Sequence, residues 1–498
     1  MSFSQATMLL LSLYFILTLY VVYKGAKQTK NIQDFALGIG FSPLIVGLSL
    51  AASITSAATF IINPGFVALY GWSAFVAMSL VLPLGLYISL IVLSKSFRKY
   101  GTSIKALTLA QWVGQRYNSK FFSLLMAFFS LLMLTFIVLI CVGLTKVIAK
   151  SLDADELTVL VSMVVFVFGY TMFGGANSMV YTNTIQAVLM IIVAIILLTS
   201  GYEHFSQGLD SFWAKLDTID PKMSLTFNDS SPLFRDWFEV IICNFIVGIA
   251  IVCQPHIITK SLLLKTDEDV NKYLMVAIVV ETLFFFVLFA GFYARLMFPD
   301  LTIDGVPIKM DGILSTYVVK NFSVGVGVLV VMGLISAGLS TLEGIIQSLS
   351  TTITNDIISP LAKWQDKPEK LIKTNRIVIV ILAILSIIIS YQQLLYPNLS
   401  VGILAQNGVY AYFSAAFVPV LFGIFIKNTP KQAAIGAAIT AIIVHFSVYY
   451  GQLTPYTSGT IKNPAVAATL AILSALVVGS ILLKIYKNKV IIPSNLNQ

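Results

Sequence analysis

Residues 47–65 read Gly47-Leu-Ser-Leu-Ala-Ala-Ser-Ile-Thr-Ser-Ala-Ala-Thr-Phe-Ile-Ile-Asn-Pro-Gly65. The stretch is apolar enough to enter a membrane, yet hydroxyls and small residues run through it and Asn63-Pro64-Gly65 follow. A second segment has the same character: Val247-Gly-Ile-Ala-Ile-Val-Cys-Gln-Pro-His256, in which Pro255 removes a backbone donor between two polar side chains. Paired discontinuous helices, in corresponding positions of two inverted repeats, are a common way to build a solute site at mid-membrane. Kinks at Pro and Gly are also frequent in ordinary membrane helices, and small residues serve close packing. The rest of the chain has to decide between these readings.

Composition places the chain in lipid. Of 498 residues, 58% are hydrophobic and 11% charged, against about 25% charged in a soluble domain. Apolar runs of about 20 residues recur, each long enough to cross roughly 30 Å of hydrocarbon as a helix. Backbone groups in lipid must be paired internally, so repeated long spans mean an all-α polytopic bundle. Cys141, Cys243 and Cys253 lie inside apolar segments without disulfide or metal-ligand spacing and read as small core residues.

About thirteen spans are expected: 7–23, 42–70, 72–94, 121–149, 156–173, 178–201, 237–263, 272–298, 322–355, 374–392, 400–426, 432–450 and 464–486. The first lacks the basic flank and cleavage site of a signal peptide and reads as a retained span. Placing residues 24–41 in the cytoplasm gathers 22 of the 31 Lys and Arg residues on that side, Lys24, Arg98, Arg116, Lys260, Lys370 and Lys489 among them. The net charge of +9 is thereby a topological signal rather than a sign of nucleic-acid binding. It sets the N-terminus outside and the C-terminus in the cytoplasm of a plasma (inner) membrane protein. No separate soluble domain is expected in 1–498.

Span 9 adds chemistry. It carries Ser336-Ala-Gly-Leu-Ser-Thr-Leu-Glu343 and then Ser348, Ser350, Thr351, Thr352 and Thr354. Sodium is a hard cation, and carbonyls freed at a helix break together with hydroxyls can replace its water without a full negative charge. Ser340 and Thr341 supply two adjacent hydroxyls. Any one of them could instead bond back to its own helix.

Four segments, in order along the chain, resemble the sodium:solute symporter family. Gly47–Gly65 is similar to the first core helix of the sodium/proline symporter. Phe173-Gly-Gly-Ala-Asn-Ser-Met-Val-Tyr-Thr-Asn-Thr-Ile-Gln186 is similar to the family's Gly-Gly…Thr-Asp-x-x-Gln segment. Gln254-Pro-His-Ile257 resembles proline and pantothenate members, and Ala337-x-x-Ser340-Thr341 through Asn355-Asp356 resembles the sodium-binding helix. The resemblance implies the leucine-transporter-type fold of five-plus-five inverted repeats and alternating access. The repeats would be 42–201 and 237–426, with an extra N-terminal span at 7–23 and two C-terminal spans within 432–486.

Carried over by residue, the resemblance implies a sodium site from the carbonyls of Ala52, Thr55 and Ala337 and the hydroxyls of Ser340 and Thr341. It implies solute contacts from Ser56, Ala57 and Thr59, faced by Gln254 and His256. The lone His256 could also serve only to satisfy a carbonyl freed by Pro255. Two positions depart from the family pattern. Asn183 stands where the motif has aspartate, and Glu343 stands where members with an additional sodium site carry serine. An intramembrane carboxylate is expensive and usually functional. Glu343 with Asn183 is therefore a candidate second cation or proton site, the alternative being a polar pair inside the core. Glu281 and His445 have no neighbouring motif.

The function expected is sodium-coupled import of a small organic solute: an amino acid such as proline, pantothenate or another small carboxylate. Partners are the solute, sodium ions and the bilayer, with no nucleic acid, in a chain that works as a monomer. The alternatives are a proton-coupled or sugar/polyol symporter of the same fold, or a transporter-like sensor. A sensor would carry a long cytoplasmic region, and this chain ends about a dozen residues after its last span. Sialic-acid members grip a carboxylate with an arginine in the helix corresponding to span 4, which has no charge between Phe121 and Leu144; that solute is disfavoured. No nucleophile–base pair or His/Cys/Asp cluster suggests an enzyme.

Overall fold

The computed structural model describes residues 2–38, 40–364, 367–396 and 401–487. Lys489 of the inner basic set lies outside them. The chain is mostly helical, at 82%. Among the described residues, ten helices are long and apolar enough to cross a membrane: α1 (Phe3–Gln28), α4 (Trp72–Ser103), α5 (Lys120–Leu152), α6 (Glu156–Thr199), α9 (Asp267–Met297), α10 (Val324–Ala362), α11 (Glu369–Leu395), α12 (Val401–Phe425), α13 (Lys431–Gly451) and α14 (Pro464–Tyr486). Two bent pairs complete the set. Pro43–Ile54 (α2) meets Ala58–Tyr70 (α3) at 55°, and Phe238–Ile251 (α7) meets Pro255–Leu263 (α8) at 57°.

This gives up to twelve spans among the described residues when α6 is taken as one, but α6 is two helices joined at a break. Its 44 residues would reach about 66 Å at 1.5 Å per residue, roughly twice the hydrocarbon thickness. The helix is interrupted at Gly175, which has φ 54° and ψ −148°. Only glycine tolerates that backbone, and a Cβ there would come within 2.7 Å of Phe35. The Gly-Gly pair thus ends one helix and begins another, as the expected spans 156–173 and 178–201 have it. Tyr170 and Gln186, which a straight helix would set about 24 Å apart, reach the same Glu343 carboxylate.

α10 is the axis of the bundle. From Gly327 to Thr352 every residue except Leu329 is buried, as expected of a helix surrounded by other helices. It packs on α6, α5, α1 and α2, while α2 lies against α9 and α6, and α7 lies against α4. The last three helices pack on one another. Asn463, before α14, donates to Glu239 Oε1 at 2.9 Å, and Glu239 also receives Arg235 through Nη2 at 2.6 Å and Nε at 2.9 Å. Those bonds hold the Arg235 guanidinium above its ordinary pKa. Meanwhile Met8, Ile16, Ile377, Ile384 and Ile388 are exposed, the apolar belt that a bilayer would cover.

Candidate functional site

The first break falls at residues 55–57. The helical ladder of α2 stops at Ile54, and Thr55 leaves helical geometry at φ −80°, ψ 87°. Carbonyls in the last turn of a helix lack intrahelical donors and need others. Here the donors come from α10. Ser340 Oγ donates to Ala52 O at 2.7 Å and lies 3.1 Å from Ala337 O. Thr341 Oγ1 donates to Ser53 O at 2.9 Å and lies 3.4 Å from Ala337 O. Ala52, Thr55, Ala337, Ser340 and Thr341 are all completely buried. Four of the five expected sodium positions therefore contribute oxygens to one small cluster. Thr55 is held beside it, its Oγ1 donating to Glu281 Oε2 at 3.0 Å. The chemistry of this donor set, neutral carbonyl and hydroxyl oxygen in a dry setting, fits a hard monovalent cation. Among the described residues no cluster of three His, Cys, Asp or Glu exists that would hold a transition metal.

The second break falls at residues 252–254. Gln254 is extended, with φ −67° and ψ 136°, and Pro255 opens α8, where a missing N–H costs nothing. Both breaks border one cavity. Ser56, Ala58, Thr59 and Asn63 line it from the first, and Gln254, His256 and Ile257 from the second. Its remaining walls include Phe136 and Leu139 of α5 and Gln406 and Tyr410 of α12. None of its lining residues is Asp, Glu, Lys or Arg. Gln254 Oε1 and both ring nitrogens of His256 are buried with no protein partner, so polar atoms are left for whatever enters the cavity.

Of the expected solute residues, Ser56, Thr59, Gln254 and His256 meet at this cavity, while Ala57 is not among its lining residues. Ala57 is instead fully buried opposite Gly143 of α5, where an added Cβ would lie 3.6 Å from the Ala57 Cβ. Gln406 and Tyr410 had no signal in the sequence, because a glutamine and a tyrosine in an apolar span acquire meaning only from what faces them.

Glu343 is 1% exposed and fully engaged. It accepts from Tyr170 OH at 2.5 Å, Thr182 Oγ1 at 2.5 Å and Gln186 Nε2 at 2.9 Å, and Gln186 also reaches Tyr14 OH at 2.7 Å. Its carboxylate thereby ties the two limbs of α6, on either side of Gly175, to α10 and α1. Asn183 does not touch it. Oriented with its oxygen toward Lys260, the Asn183 amide accepts from Ser53 Oγ at 2.9 Å and Lys260 Nζ at 3.2 Å and donates to Gln186 Oε1 at 2.9 Å.

Lys260 itself is a correction. The sequence counts it among cytoplasmic loop charges, but it is 3% exposed and sits on α8, aimed at α2. The positive-inside pattern scores a lysine near a span end as a loop charge and carries no information about where its long stem reaches. Glu281 is likewise more central than its isolation suggests, completely buried against Thr55 with Oε1 unpartnered. His445 bonds Asn407 at 3.0 Å and joins α13 to α12, away from the cavity.

A helical bundle with two facing helix breaks, a neutral oxygen cluster at one and a cavity between them, defines a multi-pass secondary transporter rather than an enzyme. The sequence profile of the sodium:solute symporter family matches residues 35–441, and the chain belongs to that family. The sodium/pantothenate symporter of Escherichia coli (strain K12) is 25% identical, over 86% of this chain and 87% of its own. Sodium/proline symporter 2 of Staphylococcus saprophyticus is 25% identical, over 89% of this chain and 85% of its own. Among solved structures, the substrate-bound outward-open state of a Na+-coupled sialic acid symporter superposes with a TM-score of 0.78 at 19% identity, covering 97% of this chain and 98% of that one. The fold is the leucine-transporter type.

Proposed function

We propose that the chain imports a small organic carboxylate, of the proline or pantothenate class, by sodium-coupled alternating access. The observation that carries this reading is the meeting of both helix breaks at one cavity, with a neutral oxygen cluster one turn away. Sodium would lie among Ala52, Thr55, Ala337, Ser340 and Thr341. The solute would lie against Ser56, Thr59, Gln254 and His256. With no cationic side chain in the lining, a carboxylate would be met by the N-terminal ends of α3 and α8, which carry partial positive charge into the cavity. An arginine clamp is not needed for that.

The two inverted repeats are 42–201 and 237–426, flanked by the extra span at 7–23 and the two within 432–486. The N-terminus lies outside a plasma membrane and the C-terminus in the cytoplasm. The chain works as a monomer, the cavity and the oxygen cluster both being closed by its own helices.

The test is uptake into proteoliposomes under an imposed sodium gradient, with unlabelled solutes as competitors. Proline or pantothenate should compete, and neutral sugars and polyols should not. Competition by polyols alone would move the assignment to a neutral solute. Uptake driven by a proton gradient with no sodium requirement would overturn the coupling.

A further inference from the structure

The oxygen cluster at Ser340 and Thr341 has a neighbour. Beside it, one turn back along α2, the ammonium of Lys260 is surrounded by Ser49 O at 2.6 Å, Ser49 Oγ at 2.7 Å, Ser53 Oγ at 2.6 Å and Asn183 Oδ1 at 3.2 Å. Ser49, Ser53 and Asn183 are all completely buried. Four neutral oxygens converging on one point, from a carbonyl, two hydroxyls and an amide, form the same donor set that the main cluster offers to sodium. An ammonium has three protons to share among them. Among the described residues no carboxylate lies within 4 Å of Lys260 Nζ, and the ion pairs present do not include it.

We propose that Lys260 is a tethered cation: its ammonium fills an oxygen cage at Ser49, Ser53 and Asn183 that would otherwise hold a second transported sodium. The two cages share Ser53, whose carbonyl accepts from Thr341 and whose hydroxyl accepts from Lys260. The charge balance is also laid out. From Lys260, the amide of Asn183 presents oxygen to the ammonium and nitrogen to Gln186 Oε1, and Gln186 presents its nitrogen to Glu343 Oε1. Two side-chain dipoles thus point the same way between a buried positive and a buried negative charge. An aspartate at position 183 would pair with the lysine directly; asparagine leaves Glu343 as the counter-charge at the far end of the relay. A buried charge without any such compensation would cost several kcal/mol. The consequence is a fixed stoichiometry: the solute moves with the sodium held at Ser340 and Thr341 and with no other.

This inference rests on the sodium-symport reading above, and its test is separable from the test of that reading. Radioactive sodium binding to the purified wild-type chain at saturation should give one ion per chain. Reversal potentials in proteoliposomes should give one charge per neutral solute, or none per monovalent anion. Lys260→Ala vacates the cage, and its expected effect is a second bound sodium, one more charge per solute and a steeper sodium dependence of uptake. Two sodium ions bound to the wild-type chain would overturn the proposal, whether or not the variant folds. So would a folded Lys260→Ala protein that keeps both the wild-type charge ratio and the wild-type steepness. If instead wild-type uptake needs no sodium at all, it is the symport reading that fails.

Discussion

The two helix breaks look alike in outline, bent by 55° and 57°, but they are made by opposite means. The second is local. Pro255 stands at the first position of α8 and Gln254 before it is extended, so four consecutive residues account for the bend. The first has no proline at the bend: Pro64 lies well inside the continuing half, at the start of the helical stretch Asn63–Tyr70. Its carbonyls at Ala52 and Ser53 are taken up by Ser340 and Thr341, each 288 residues away in the chain. One break is stable by itself. The other persists because distant helices supply the missing donors, and those donors are the ones a cation would displace. A break held by partners can be opened and closed by an ion; a break set in the local backbone, with Gln254 extended before a helix start, cannot.

This contrast can be attacked experimentally, and the largest effect should come at the partner-held break. Replacing Ser340 and Thr341 together by alanine removes two neutral ligands of the proposed sodium site. At about 1.5–3 kcal/mol for each interaction with a charged group, the loss of both should raise the sodium needed for half-maximal uptake at least about a hundredfold, with protein abundance little changed. A full sodium titration of uptake is the measurement, and coincident wild-type and mutant curves would remove the site from α10.

Glu343→Gln should act next most strongly, and mainly on stability. Glutamine keeps the size but turns one acceptor oxygen into a donor facing Tyr170 or Thr182. One mismatched buried bond costs about 1–3 kcal/mol, read as a lower thermal midpoint in detergent. Loss of a pH-dependent component of coupling, with stability intact, would assign Glu343 to proton carriage instead.

At the second break, His256→Ala and Gln254→Ala should each raise the solute KM by a few-fold up to about tenfold, the range of one neutral hydrogen bond at about 0.5–1.5 kcal/mol. Sodium binding without solute should be unaffected. Equal losses in sodium and solute affinity would mean that these residues shape the fold rather than contact the solute.

The smallest effect is expected for Pro255→Ala. The new N–H sits where a helix start has no use for it, and the bend should survive, with maximal uptake falling less than about threefold, since helix N-termini tolerate most residues at that position. Abolished transport in a stable protein would show that the proline does more than permit the break, and would make the two breaks more alike than their contacts suggest.

Legibility divided along the same line. Hydrophobic length is a local property, so the spans, the all-α class and the extra N-terminal helix could be read from residues alone. The pairs Ser340-Thr341 and Pro255-His256 carry their chemistry in adjacent positions, and they too stood out. The Gly-Gly pair was visible as a motif, and so was the division it makes between 156–173 and 178–201; that the break falls at Gly175, where a Cβ would meet Phe35, depends on packing. Glu343 was conspicuous as a charge in lipid, whereas Tyr170, Thr182, Gln186 and Tyr14 could not be assigned to it without the packing of three helices.

By itself, then, the sequence determined that this chain lives in a bilayer as a helical bundle, where its backbone donors run short and where side-chain oxygens gather within the spans. Those follow from transfer free energies and covalent structure, which act within a few residues. Only the tertiary structure decided that Lys260 turns inward to Ser49 and Ser53, that Glu281 lies against Thr55, that Ala57 faces α5, and that Gln406 and Tyr410 complete the cavity. A lysine at a span end has a stem long enough to reach either the aqueous surface or the bundle core. What selects between them is whether unpaired oxygens from another helix are waiting within reach.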